Sequence, residues 1–168
     1  FGFLHKHDGV CFINMDDVRL KKYQTILENN ISFGTSGNEP DISVDTTMNE
    51  ELNPILAFRA GERNLEVNMN TVGYASGLNA IAAGVVGYHF GLSDDEIKTG
   101  LESYKPDSGS GYGRMLIENI GSIRLINDCY NANPDSMNMA LNTLNKMKST
   151  GKKIAVLGDM RELGEHAP

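Results

Sequence analysis

Two stretches of this sequence decide its predicted fold: IRLINDCYNANPDS at residues 123–136 and KIAVLGD at residues 153–159. Each contains a run of mainly apolar residues followed by polar ones, which is typical of a buried parallel strand and its carboxyl end. Between them, Asn133 is placed to cap a helix that begins at Pro134, and apolar residues then recur at helical spacing until Gly151. We therefore predict a strand, a helix and a second strand that form a right-handed βαβ unit.

The residues that precede this unit predict another α/β layer. Residues 10–14 and 31–34 are short apolar runs typical of strands, and a helical pattern lies between them. From residue 41 to residue 70 the pattern alternates between apolar and polar side chains. This alternation predicts an antiparallel hairpin attached to the layer, with its turn at residues 60–64.

Two helices and a linker are predicted next along the chain. Residues 78–88 are rich in small apolar side chains, which favours a helix packed closely against a sheet. Ser93 and Glu96 have the spacing of a capping box, and they predict a second helix that ends near Ser103. Pro, Ser and Gly dominate residues 105–113, which predicts a linker. We place a domain boundary there, with one domain at residues 1–110 and the other at residues 111–168.

Composition excludes several classes of partner. The chain has 15 Lys and Arg against 22 Asp and Glu, a formal net charge of -7, which disfavours nucleic acid or an anionic membrane as the main partner. It has no apolar run near the roughly 20 residues that span a bilayer and no secretory signal at its start, so we expect a cytoplasmic protein. Cys11 and Cys129 are far apart and predict reduced thiols. His5 and His7 lack an evident third ligand, and we predict no metal site.

The candidate ligand site follows from the predicted sheet. Ligands of open parallel sheets gather beyond the carboxyl ends of the strands, where residues 127–136 and 158–164 would lie side by side. Asp128 is a candidate to accept hydrogen bonds from two ribose hydroxyls. The alternative is that Asn131, Asn133 and Asp135 only shape a turn and cap a helix. The chain has no GxxxxGK[ST], HExxH, GxSxG or post-strand GxGxxG motif.

Two motifs resemble a known family. Residues 127–137 (NDCYNANPDSM) and residues 155–165 (AVLGDMRELGE) are similar to the start of the carboxyl-terminal domain of the Mur ligase superfamily. Residues 8–10, 14–17, 73, 79–83 and 113–114 match the second half of the family's central ATPase domain in the same order. The resemblance therefore covers nearly the whole chain and is strongest from Arg114 onward.

The resemblance implies a bacterial cytoplasmic ligase of peptidoglycan synthesis. In the branch that this chain resembles, ATP with Mg²⁺ phosphorylates the carboxylate of UDP-N-acetylmuramoyl-tripeptide, and the amine of D-alanyl-D-alanine attacks the acyl phosphate. It also implies an α/β fold: part of a central ATPase domain with an antiparallel hairpin, followed by the first βαβ unit of a Rossmann-like domain. We expect a monomer.

The resemblance also implies roles for individual residues. Asn79 matches the family's adenine-contacting Asn, Arg114 its nucleotide-phosphate Arg and Asp128 its ribose-binding Asp. A second group matches the loop that faces the substrates: Tyr130, Asn131 and Asn133. Where the family commonly has a His-Asn pair, this chain has Ala75 and Ser76.

The resemblance leaves catalysis to residues outside this sequence. The family's phosphate loop, Mg²⁺-binding Glu and His, and carbamylated Lys lie upstream of what the sequence shows. We therefore expect a fragment that has no catalytic residues and is inactive alone. Two other hypotheses remain. The chain could come from another relative of the Mur ligases, similar to folylpolyglutamate synthetase or cyanophycin synthetase, or it could be a non-catalytic α/β binding module.

Overall fold

The computed structural model describes residues 3, 6, 7, 9–106 and 113–160. The domain boundary predicted between residues 110 and 111 lies outside this described part, so it stays a prediction. Within the described part, no helix is both long and apolar enough to span a membrane.

The first layer is a mixed sheet of five strands in the order β1-β2-β3-β4-β5. Its strands are β1 (Cys11–Asn14), β2 (Asn30–Gly34), β3 (Ile42–Met48), β4 (Pro54–Ala60) and β5 (Arg63–Asn68). The first three are parallel to one another, and β4 and β5 are each antiparallel to the preceding strand. The predicted hairpin is confirmed as β4 and β5, with Gly61 in the left-handed region at φ 60°. The alternating stretch also contains β3, which joins the parallel half to the hairpin.

Three helices belong to the first layer: α1 (Val18–Lys21), α2 (Tyr74–His89) and α3 (Asp94–Ser103). The α1 helix is shorter than its pattern suggested, and turns continue the chain beyond it. Small residues let α2 pack closely on β4, where the Phe58 ring lies against Gly84. The predicted capping box of α3 is confirmed, because Ser93 accepts from the Glu96 N–H and the Glu96 carboxylate accepts from the Ser93 N–H.

The core of this layer lies between the sheet and the helices. Its most deeply buried side chains come from β3, β4, β5 and α2: Val44, Leu56, Phe58, Val67 and Val85. Ile97 joins them from α3. Burial of these apolar surfaces is the main stabilising contribution that fixes α2 over the sheet.

The second layer is a hairpin of β6 (Leu116–Ile120) and β7 (Ile123–Asn127), followed by α4 (Pro134–Lys146). The turn between these two strands contains Gly121, whose φ is 60°. The start of α4 is confirmed as well, since Asn133 caps it and Pro134 is its first residue. The helix contacts α2 of the first layer.

The predicted return strand at residues 153–159 is wrong for this structure. Residues 152–160 form no strand, and Ile154, Val156 and Leu157 are exposed by 74%, 93% and 57%. A strand needs the backbone of a neighbour for its hydrogen bonds, and in the described residues β7 pairs with β6 while no strand lies along its other edge. The βαβ unit is therefore not closed in the described residues, although the predicted α/β class is confirmed.

Candidate functional site

A cleft of about 510 Å³ lies between the two layers. Its walls come from the beginning of α2, the end of α3, the loops on either side of the β6–β7 hairpin, and α4. All the residues predicted for nucleotide or substrate binding line it: Asn79, Arg114, Asp128, Tyr130, Asn131 and Asn133. By contrast, the described part of the second predicted loop, residues 158–160, does not line it. The structure thus brings the first group together and leaves residues 158–160 outside the cleft.

Asp128 follows the last residue of β7 and is half-buried. Its Oδ1 atom accepts a hydrogen bond of 3.0 Å from the Met115 backbone N–H. Met115 has a φ of 52°, which is uncommon for a residue other than glycine. One carboxylate oxygen therefore stabilises the chain at the start of β6, while Oδ2 and the second lone pair of Oδ1 remain for a ligand.

Arg114 supplies the positive charge of the cleft. Its guanidinium carbon lies 4.0 Å from the centre of the Tyr130 ring, a cation–π arrangement. Within residues 9–106 and 113–160, Arg114 forms no ion pair with a carboxylate. Among the described residues that line the cleft, Arg114 and Asp128 are the charged ones. The Arg114 guanidinium can therefore take an anionic group without first giving up a protein partner.

Asn131 and Asn133 both have local roles. The Asn131 side chain accepts a hydrogen bond of 2.9 Å from the Ala132 N–H. The Asn133 side chain caps α4 by accepting from the Ser136 N–H at 2.8 Å. The turn-and-cap interpretation is therefore present in the structure for these two residues, and their contact with substrate stays a prediction.

Asn79 lies on α2, one turn beyond the start of the helix, and its side chain is exposed. No hydrogen bond of its amide group occurs within the described residues, so both its donor and its acceptor are available to a ligand. Nearby, Ser76 donates from Oγ to the Gly73 carbonyl at 2.8 Å. Apolar lining comes from Met69, Ala80, Ala83 and Leu101. An apolar pocket with a few polar groups is the usual form of a small-molecule site.

Comparison with known proteins agrees with this architecture. Residues 113–168 match the family "Mur ligase, glutamate ligase domain". The chain is 29% identical over 160 residues to the UDP-N-acetylmuramoyl-tripeptide–D-alanyl-D-alanine ligase of Bacillus subtilis, covering 95% of this chain and 33% of that protein. The ligase of the same description from Treponema pallidum is 41% identical over 86 residues, which cover 51% of this chain and 17% of that protein.

Comparison with solved structures finds a ligase of the same kind. The MurF ligase from Thermotoga maritima, in complex with ADP, aligns with a TM-score of 0.74 and 26% identity over 94% of this chain and 35% of that chain. The chain is therefore similar to these ligases over most of its own length. It spans about one third of the length of the curated relatives that it matches.

The sequence interpretation gave no structural role to two residues that line this cleft. Gly73 begins α2 with a φ of 91°, and a Cβ there would lie 3.2 Å from Met115 Cε and 3.4 Å from Thr143 Oγ1. This glycine therefore permits the contact between α2 and the second layer. Thr71 also lines the cleft, and its Oγ1 is the buried side-chain polar atom without a hydrogen-bond partner among the described residues. No local sequence pattern signals a contact over such separations.

The cleft also depends on a polar contact outside its own lining. Asn127 ends β7 and does not line the cleft, but its Oδ1 accepts from the Gly113 N–H at 3.2 Å. Tyr130 donates its N–H to the Gly113 carbonyl at 3.2 Å. The residue before Arg114 is therefore bonded through both its N–H and its carbonyl, and Met115, the residue after Arg114, is bonded to Asp128.

Proposed function

We propose that this chain is part of an ATP-dependent ligase that adds D-alanyl-D-alanine to UDP-N-acetylmuramoyl-tripeptide in bacterial peptidoglycan synthesis. One observation carries the proposal: residues that the sequence assigns to nucleotide and to substrate line the same cleft. Relatives described as ligases of this specificity support it over nearly the whole chain.

ATP supplies the phosphoryl group that activates the tripeptide carboxylate, and the amine of D-alanyl-D-alanine then displaces phosphate. In this proposal, Arg114 binds the phosphates, because its guanidinium is unpaired among the described carboxylates and charge neutralisation is the main demand of phosphoryl transfer. Asp128 accepts from ribose hydroxyls through the oxygen that Met115 leaves free. Asn79 contacts the base through its unpaired amide.

The loop after β7 faces the other two substrates in this proposal. Tyr130, Asn131 and Asn133 line the cleft beside Arg114 and Asp128, so groups bound by this loop would lie next to the nucleotide. Mg²⁺ accompanies ATP. The residues that the structure describes bring together no group of three or more His, Cys, Asp and Glu side chains suited to a metal ion, and the proposal assigns them no metal ligand.

The test is phosphate release by the full-length protein that contains this chain. With ATP, Mg²⁺ and UDP-N-acetylmuramoyl-tripeptide, we expect release that depends on D-alanyl-D-alanine, and mass spectrometry should find the pentapeptide product. Release with a folate as the acid and L-glutamate as the amine, in place of the muramoyl tripeptide and D-alanyl-D-alanine, would instead indicate a folylpolyglutamate-type relative. If no amine led to phosphate release from ATP, the result would favour a non-catalytic binding module.

A matched pair of variants tests the phosphate assignment. Arg114→Ala should lower kcat/KM for ATP at least about tenfold, because it removes the positive charge of the cleft. Arg124→Ala is the control, since Arg124 is an exposed arginine of the same hairpin that does not line the cleft. Equal effects of the two substitutions would contradict the assignment.

A further inference from the structure

The segment Gly113–Met115 is held to residues 127–130 by two side chains and one backbone hydrogen bond, outside the regular strand pairing. The regular ladder of the hairpin ends at the pair formed by Leu116 and Asn127. Beyond that pair, Asp128 Oδ1 accepts from the Met115 N–H at 3.0 Å, and Asn127 Oδ1 accepts from the Gly113 N–H at 3.2 Å. These bonds extend the connection past the end of the sheet.

The fit between Gly113 and Asn127 is close. A Cβ atom on Gly113 would lie 2.7 Å from Cγ and Oδ1 of Asn127 and closer still to the Asn127 carbonyl oxygen. Asn127 Oδ1 also accepts from the thiol of Cys129 at 2.9 Å and from the Cys129 N–H at 3.4 Å. One oxygen atom thus joins the residue before Arg114 to the residue after Asp128.

This arrangement brackets Arg114. The Gly113 N–H and carbonyl before it, and the Met115 N–H after it, all have partners in residues 127–130. The guanidinium then rests on the Tyr130 ring at 4.0 Å. A long, exposed side chain loses much of its freedom when its backbone is fixed and its end stacks on a ring, and that loss lowers the entropic cost of binding an anion.

We propose that Asn127 is a positioning residue for nucleotide binding, which acts by holding Arg114 and Asp128 in the orientation that the cleft requires. Asn127 does not line the cleft, so its effect passes through Gly113 and Cys129. This proposal deepens the function proposed above and rests on it for its kinetic test.

Steady-state kinetics of the full-length protein that contains this chain separates positioning from a merely structural role. Asn127→Leu removes the acceptor at similar size, and it should raise KM for ATP about tenfold while KM for UDP-N-acetylmuramoyl-tripeptide changes less than about twofold. Asn127→Asp keeps the acceptor and should recover most of the loss. Asn119→Leu is the control, because Asn119 is exposed on the same hairpin and outside the cleft. A fall in kcat with an unchanged KM for ATP would overturn the proposal.

A second readout does not depend on ligase activity. Protons of the Arg114 side chain that lie over the Tyr130 ring should show an upfield ring-current shift in the nucleotide-free protein. We expect Asn127→Leu to abolish this shift and Asn119→Leu to keep it. If circular dichroism shows that Asn127→Leu is unfolded, Asn127→Ala is measured in its place. If the wild type has no ligase activity, the proposed function fails, and an unchanged shift in the Asn127 variant would overturn the positioning role separately.

Discussion

The carboxylate of Asp128 accepts a hydrogen bond of 3.0 Å from the backbone N–H of Met115, a residue held at a φ of 52°. The bond links the end of β7 to the residue before β6, next to Arg114. Asp128 therefore has two tasks in the proposed function: its Oδ1 atom fixes the local backbone, and its charge and Oδ2 atom serve the ligand.

Two substitutions at Asp128 should separate these tasks. Asp128→Asn keeps an oxygen that can accept from Met115 but loses the charge, so we expect a rise in KM for ATP of a few fold. Asp128→Ala loses both tasks and should raise KM for ATP at least about tenfold. Steady-state kinetics of the full-length protein that contains this chain measures both, and an unchanged KM in Asp128→Ala would refute the ribose assignment.

Gly84 and Gly100 give opposite predictions for the same substitution. A Cβ on Gly84 would lie 2.7 Å from the Phe58 ring, so Gly84→Ala should lower the free energy of unfolding by about 1–3 kcal/mol through overpacking. A Cβ on Gly100, also within a helix, would meet nothing within 4 Å. Gly100→Ala should therefore raise the free energy of unfolding by about 0.5–1 kcal/mol. Urea denaturation measures both. Equal stability of the two variants would mean that α2 does not approach β4 this closely.

Tyr88 gives a prediction for alkaline pH. Burial, followed by the charge and hydrogen bond of Asp94, raises the pKa of Tyr88 from its ordinary value of 10.0 to about 12. Because the folded state favours the neutral phenol, this contribution to stability is complete below pH 10 and is lost as the pH rises from about 10 to about 12. The direction is therefore a loss of stability with increasing pH.

Tyr88→Phe provides the comparison. It removes the hydrogen bond of 3.2 Å from the Tyr88 hydroxyl to Asp94 and should lower the free energy of unfolding by about 1 kcal/mol near neutral pH. The difference from wild type should shrink as the pH rises from about 10 to about 12, because the phenol ionises in the unfolded chain before it ionises in the folded protein. Denaturation curves at several pH values measure it, and a constant difference would show that Tyr88 keeps its ordinary pKa.

The parts of the fold that the sequence predicted well have local causes. The β4–β5 hairpin follows from alternating side chains and a turn at Gly61, and α3 follows from the capping box of Ser93 and Glu96. Residues 153–157 have an equally apolar pattern, yet they form no strand. A strand depends on a partner backbone, and the pattern of one segment carries no information about that partner.

The residues of the candidate site also fall into those that a local sequence pattern predicts and those that depend on distant contacts. Asp128 and Asn133 could be singled out because they follow a predicted strand and precede a predicted helix. Asn127 could not, since its importance rests on a contact with Gly113, which is 14 residues away along the chain. Thr71 was missed as well, since no pattern of its sequence neighbours indicates that its hydroxyl is buried without a partner among the described residues.

Thr71 leads to a last prediction, about stability. Its side chain is 3% exposed and its Oγ1 has no hydrogen-bond partner among the described residues, whereas Thr143, 7% exposed, donates from Oγ1 to the Met139 carbonyl at 2.8 Å. An unpaired buried hydroxyl costs free energy, so Thr71→Val, which keeps the shape, should raise the free energy of unfolding by about 1 kcal/mol. Thr143→Val should lower it by a similar amount because it removes a satisfied bond. Thermal and urea denaturation test the pair, and destabilisation by Thr71→Val would mean that water satisfies the Thr71 hydroxyl in solution.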